Sequence, residues 1–123
     1  MTYDLIALVQ EEPHLGILVD DLVRAGEGLR VSVTGSGALI QLHDDEGNPV
    51  VSVLEPRRVV VAGEAERLLG PEVAAGVTVP YWWVEARAPE YGAAMPALVH
   101  RFADALVGRL GGVVWPVQAG ESP

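Results

Sequence analysis

Between Val79 and Trp115 two hydrophobic periods follow one another, and that order restricts the folds open to the chain. Pro80-Tyr81-Trp82-Trp83-Val84-Glu85-Ala86-Arg87 reads as a strand, and the spacing from Ala94 to Leu110 reads as a helix. Gly111-Gly112 stops the helix, and Val113-Val114-Trp115 resumes as a short strand. Strand side chains alternate between faces. Trp82, Val84, Ala86 and Ala88 therefore point one way, an apolar set that narrows to alanine and suits a strand under a packed helix. Tyr81, Trp83, Glu85 and Arg87 point the other way, two aromatics followed by an acid and a base. Open to water, this second set is an amphipathic patch of the kind enriched at binding interfaces. Covered by a second helix or loop, it becomes further core, and Glu85 and Arg87 then need partners, because unpaired buried charge is costly.

The helix is the clearest periodic element. Met95, Leu98, Val99, Phe102, Leu106 and Leu110 recur at steps of three and four and make one apolar stripe. Pro96 is tolerated only in a first turn, so the helix starts near Ala93 to Met95. The two glycines supply a left-handed C-terminal cap, with Arg109 at the negative end of the dipole. Strand, helix, strand in this order predicts a right-handed crossover, with the Val113 strand parallel to the Tyr81 strand.

Upstream, Tyr3 to Gln10 is a nearly continuous apolar run, as in a central strand covered on most of both faces. Leu15, Leu18, Val19, Leu22 and Val23 form a second helical stripe ending near Ala25-Gly26, with Asp20, Asp21 and Glu27 on its outer side. Leu29 to Thr34, Ala38 to His43 and Val50 to Leu54 read as an antiparallel meander. Gly35-Ser36-Gly37 joins two strands and no helix follows, so it is a hairpin turn and not a phosphate loop. Asp44-Asp45-Glu46-Gly47-Asn48-Pro49 is the next turn, a solvated acidic tip that lacks the ligand spacing of a calcium loop. Arg57 to Ala62 reads as a fifth strand, Gly63 to Leu69 as a short helix, and Glu72 to Thr78 as a small-residue connection. The order is β-α-β-β-β-β-α-β-α-β. It predicts an α+β fold: a single two-layer sandwich over residues 1–116, with a mixed, mainly antiparallel sheet, helices on one face, and a frayed tail at 117–123.

Composition narrows the chemistry. A hydrophobic fraction of 50% in 123 residues supports one folded domain, and no apolar run reaches the length of a membrane helix. The N-terminal residues lack a secretory signal pattern, which makes a cytoplasmic location the expectation. There is no cysteine for disulfides, thiol catalysis or thiolate metal sites. The net charge of −9, with arginine as the sole strong base, disfavours nucleic-acid binding and favours a basic protein partner. His14, His43 and His100 show no metal-ligand spacing, and no serine sits in a nucleophile elbow. His100 and Asp104 stand four apart on the last helix, as a surface pair. No catalytic residue, metal or cofactor is expected.

The stretch from Pro80 to Pro116, with its Trp-Trp-Val-Glu strand, helix and Gly-Gly-Val-Val-Trp-Pro end, resembles the C-terminal third of many small bacterial α+β proteins. Some have no assigned function; others are immunity proteins of polymorphic toxin systems. The resemblance implies a non-enzymatic inhibitor that covers the active site of a toxin. The expected contact residues are Tyr81, Trp83, Glu85 and Arg87, with Arg30 on the same face. Two alternatives remain open: a homodimer that buries this face against its twin, and a small-molecule binder or minor enzyme with a pocket near Trp82, Trp115 and His100.

Overall fold

The computed structural model describes residues 2–35, 38–89 and 94–116. In chain order the elements are β1 (Thr2–Val9), α1 (Leu15–Ala25), β2 (Arg30–Thr34), β3 (Leu39–His43), β4 (Pro49–Leu54), β5 (Arg57–Val59), α2 (Glu64–Leu69), α3 (Pro71–Ala74), β6 (Tyr81–Pro89), α4 (Ala94–Leu110) and β7 (Gly112–Trp115). The fold is α+β. Seven strands form one sheet in the order β2-β3-β4-β6-β1-β7, and β5 also pairs with β6, beside the half of that strand that β4 leaves free. Every strand pairing among the described residues is antiparallel.

The last strand shows how the crossover works. β6 and β7 are each antiparallel to β1, so they run parallel to each other, as the strand–helix–strand order requires. They are not neighbours, however, because β1 lies between them. The N-terminal apolar run takes this interior place, between β6 and the edge strand β7, because it is apolar at odd and even positions alike. Leu5, Ala7 and Val9 face one side, Ile6 and Leu8 the other, and all five are buried.

On the first side the stripes of α1 and α4 close the main core. Leu18 and Leu22 of α1 and Leu98, Val99, Phe102 and Leu106 of α4 pack over Leu5, Ala7, Val84, Ala86 and Val53. The chain leaves α4 through Gly111, whose φ of 77° no β-branched residue adopts cheaply, and its N–H donates to Val107 O at 2.7 Å.

The expectation of helices on one face holds for these two long helices and fails for the short ones. α2 and α3 cover one end of the opposite face, where Ile6, Leu8, Val59, Ala65, Val77, Tyr81 and Trp83 form a second, smaller core. The 72–78 segment, read as a connection, begins as a helix because Pro71 occupies a first-turn position and Val73 and Ala74 give it an apolar side. Gly76 lets it approach the sheet, since a Cβ there would meet Val113 Cγ1 at 2.0 Å. Asp21, read as outward, is buried on α1 and accepts a 2.8 Å bond from Arg109 of α4. The stripe spacing alone could not reveal that a second helix flanks this side. The Ser36-Gly37 part of the first hairpin turn and the 117–123 tail lie outside the described residues.

Candidate functional site

Alternation along β6 is as expected. Val84, Ala86 and Ala88 are buried beneath α4, Trp82 packs at the margin of the same core, and Tyr81 and Trp83 point to the other face. That face is not open at their end. Tyr81 is 3% exposed and Trp83 9%, both in the cluster that Ala65 of α2 and Val73 and Ala74 of α3 help to close, and Arg57 of β5 lies 5.3 Å from the centroid of the Trp83 ring. Burial raises the Tyr81 phenol above its ordinary pKa. Of the two readings of this strand, cover applies to Tyr81 and Trp83. The expected contact surface loses its aromatic half. The sequence could not place the cover because α2–α3 comes from a separate, weakly patterned segment.

Glu85, Arg87 and Arg30 remain on the uncovered part of the same face. Beyond Trp83 none of the described helices lies over the sheet, and the meander strands complete a surface. The register sets Ser32, Gln41, Ser52, Arg87 and Asp4 side by side across β2, β3, β4, β6 and β1. Each interior residue of this row sits between apolar neighbours that point into the core, such as Ile40 and Leu42 about Gln41, and Val51 and Val53 about Ser52. That pattern was present in the sequence: three strands, each apolar at alternate positions and polar at the same height.

The row is tied laterally. Gln41 Nε2 donates to Ser52 Oγ at 3.0 Å, and Arg87 donates to Glu85 Oε2 at 2.7 Å, with Asp4 Oδ1 at 3.8 Å. The bond to Glu85 holds the Arg87 guanidinium above its already high pKa. Ser32 Oγ lies 2.8 Å from His43 Nε2, and His43 Nδ1 lies 3.3 Å from Gly47 O. With the proton on Nδ1 toward the carbonyl, Nε2 accepts from the serine hydroxyl. This arrangement orients a hydroxyl, yet its second contact is long and its orienting group a neutral carbonyl, so we read it as a cross-strand tie. Arg30 is the register partner of His43.

Two shallow clefts follow the row. One of about 440 Å³ is lined by Leu39, Gln41, Ser52, Leu54 and Arg87; another of about 470 Å³ by Arg30, Ser32, His43 and Gly47. Acids rim the surface: Asp44, Asp45 and Glu46 at the β3–β4 turn, Glu55 at the opposite end, Asp4 and Glu85 along the side. Asp44 is committed to its own turn, accepting from the Glu46 and Asn48 amides at 3.0 and 2.9 Å. Those bonds, that from Asn48 foremost, hold its carboxyl below the usual range.

The residues named for a small-molecule pocket are not brought together. Trp82 and His100 belong to the α4 side of the sheet, and Trp115 packs in the second core on the other side. His100 is buried and pairs with Tyr3, not Asp104, its Nε2 lying 2.6 Å from the Tyr3 hydroxyl. Burial raises the Tyr3 pKa. No group of acidic and histidine side chains among the described residues is spaced to hold a metal ion. None of the described helices is long and apolar enough to cross a membrane. Comparison with family models, with curated proteins and with solved structures gave no match.

Proposed function

We propose that the chain is a non-enzymatic protein-interaction module, an immunity-type inhibitor that docks a basic protein partner on the uncovered sheet face. The observation that carries this reading is the asymmetry of cover: α1 and α4 close one face, and α2–α3 stop short of β2, β3 and β4 on the other. An antiparallel sheet that leaves one face to water presents a rigid, hydrogen-bonded platform whose side chains are held in register. Its centre offers amide and hydroxyl groups and the apolar Leu39 and Leu54; its rim is acidic, and the chain as a whole carries −9. Such a surface speeds encounter with a basic partner and rejects an acidic one.

The test is capture of a partner from the native lysate by the immobilised chain, compared with the Gln41→Arg/Ser52→Arg variant, followed by mass spectrometry. A discrete basic protein retained by the unaltered chain and lost by the variant supports the proposal. Equal retention by both removes it. So does light scattering that shows a dimer which the variant breaks, because the face is then buried against a second copy.

A further inference from the structure

β7 ends the sheet, pairing with β1 on one side only among the described residues. Its outer edge therefore presents backbone N–H and C=O groups without a strand partner, the situation in which an added strand is accepted. Along this edge runs a groove of about 350 Å³, with α3 on one face of the sheet and α4 on the other. Val107 and Val114 line the α4 side, Val73 and Val113 the α3 side. One carboxylate stands on each wall: Asp104 on α4 and Glu72 on α3, both exposed. Neither is ion-paired among the described residues. The arginines of α4 are committed to its other flank, Arg101 to Ala25 O at 3.1 Å and Arg109 to Asp20 and Asp21 at 2.8 Å. The groove is thus apolar at its floor and negative on both walls.

We propose that this edge binds an extended basic segment of a partner protein, which adds to β7 as a further strand. Successive side chains of such a segment alternate between the two walls. Two adjacent basic residues would therefore place one charge by Asp104 and the next by Glu72, with flanking valine-like residues against the four valines. β7 is four residues long and is followed by Pro116, which lacks an N–H, so the added pairing is short. Backbone bonds supply the fit, and the carboxylate pair selects the sequence. The site lies apart from the uncovered face and does not depend on it.

The probe is a fluorescent peptide, Thr-Val-Arg-Arg-Val-Thr, titrated by anisotropy into the full chain. Saturable binding is expected, with amide shifts centred on 112–115. Replacing both acids, Glu72→Lys with Asp104→Lys, should weaken it roughly tenfold or more. The milder Glu72→Gln/Asp104→Asn pair should act in the same direction, which guards against a folding defect in the first variant. A peptide methylated at alternate backbone nitrogens should fail to bind, and Gln41→Arg/Ser52→Arg should bind as the unaltered chain does. The proposal is overturned if no saturation occurs at millimolar peptide, if the charge variants bind normally, or if the methylated peptide binds as well as its parent. A lost peptide site with intact partner capture, or the reverse, separates this site from the uncovered face.

Discussion

Trp82 and Trp83, adjacent in β6, pack into two different cores. Trp82 lies against the main core beneath α1 and α4, while Trp83 closes the second cluster beneath α2 and α3. Each ring carries an arginine of β5, Arg58 at 5.8 Å from the Trp82 centroid and Arg57 at 5.3 Å from that of Trp83. Arg57 is itself held by Glu64 of α2 at 3.3 Å. The aromatic pair therefore joins the two layers through one strand, and its role is cohesion before recognition.

Replacing Trp83 by Ala should accordingly unfold the chain more readily, by about 3 kcal/mol, because it removes the largest buried side chain of a small cluster. Trp82→Ala should cost less, since Trp82 is only partly buried. Urea denaturation followed by circular dichroism measures both. A Trp83→Ala protein of unaltered stability would mean that α2–α3 does not cover this face in solution.

Much of this fold was legible because its main helices and strands have clean periods. The α4 stripe from Leu98 to Leu110 and the alternation at Val31, Ile40, Leu42, Val51 and Val53 each report a single buried side. That β1 is an interior strand buried on both faces was legible too, from its nearly continuous apolar run, although it lies only one strand in from the edge. What the sequence hid lies where one segment covers another. Alternation told which way Trp83 points, but only the docking of Ala65, Val73 and Ala74 told that it is buried. The polar face was half visible, since Arg30, Glu85 and Arg87 could be put on it, while Gln41 and Ser52 joined it only once the register was known.

The Asp21–Arg109 pair makes stability depend on pH. Asp21 is 1% exposed; Arg109 bonds one carboxylate oxygen at 2.8 Å, and the other oxygen, Oδ2, has no hydrogen-bond partner among the described residues. Burial pushes the Asp21 carboxyl above its ordinary pKa despite Arg109. A raised folded pKa means that the folded state takes up this proton more readily than the unfolded one. Its contribution is thus fully present below the unfolded pKa and is lost as pH rises through the folded pKa. Arg109→Ala should lower Tm at neutral pH by roughly 5 °C, with a smaller loss once the pH falls below the folded-state Asp21 pKa and the carboxyl is neutral. Asp21→Asn should flatten that pH dependence. Thermal melts across pH test both, and an Arg109→Ala deficit that is constant with pH would refute the assignment.

Asp44 acts with the opposite sign. Its Oδ1 accepts two amides of the β3–β4 turn, and those bonds depress its pKa. A depressed carboxylate stabilises above the unfolded pKa, and that contribution is lost as pH falls through the folded value. Asp44→Ala should therefore speed amide exchange at Glu46 and Asn48 at neutral pH, and the difference from the unaltered chain should vanish in acid. Equal exchange at neutral pH would show that the turn holds without its side-chain bonds.

Two glycines four residues apart should respond in opposite directions to alanine. Gly108 lies within α4 with nothing near the position of a Cβ, so Gly108→Ala relieves a helix-interior cost and should add about 0.5–1 kcal/mol. Gly112 opens β7 with φ 136°, and a Cβ there would meet Leu8 O at 1.8 Å. That contact is with backbone, which no rotamer change relieves, so Gly112→Ala should cost about 3 kcal/mol and force β7 away from β1. The same displacement would move the free edge between Glu72 and Asp104. Peptide capture by Gly112→Ala should thus fall under conditions where circular dichroism still reports a folded chain. Capture retained in full alongside the stability loss would place the peptide elsewhere than on the β7 edge.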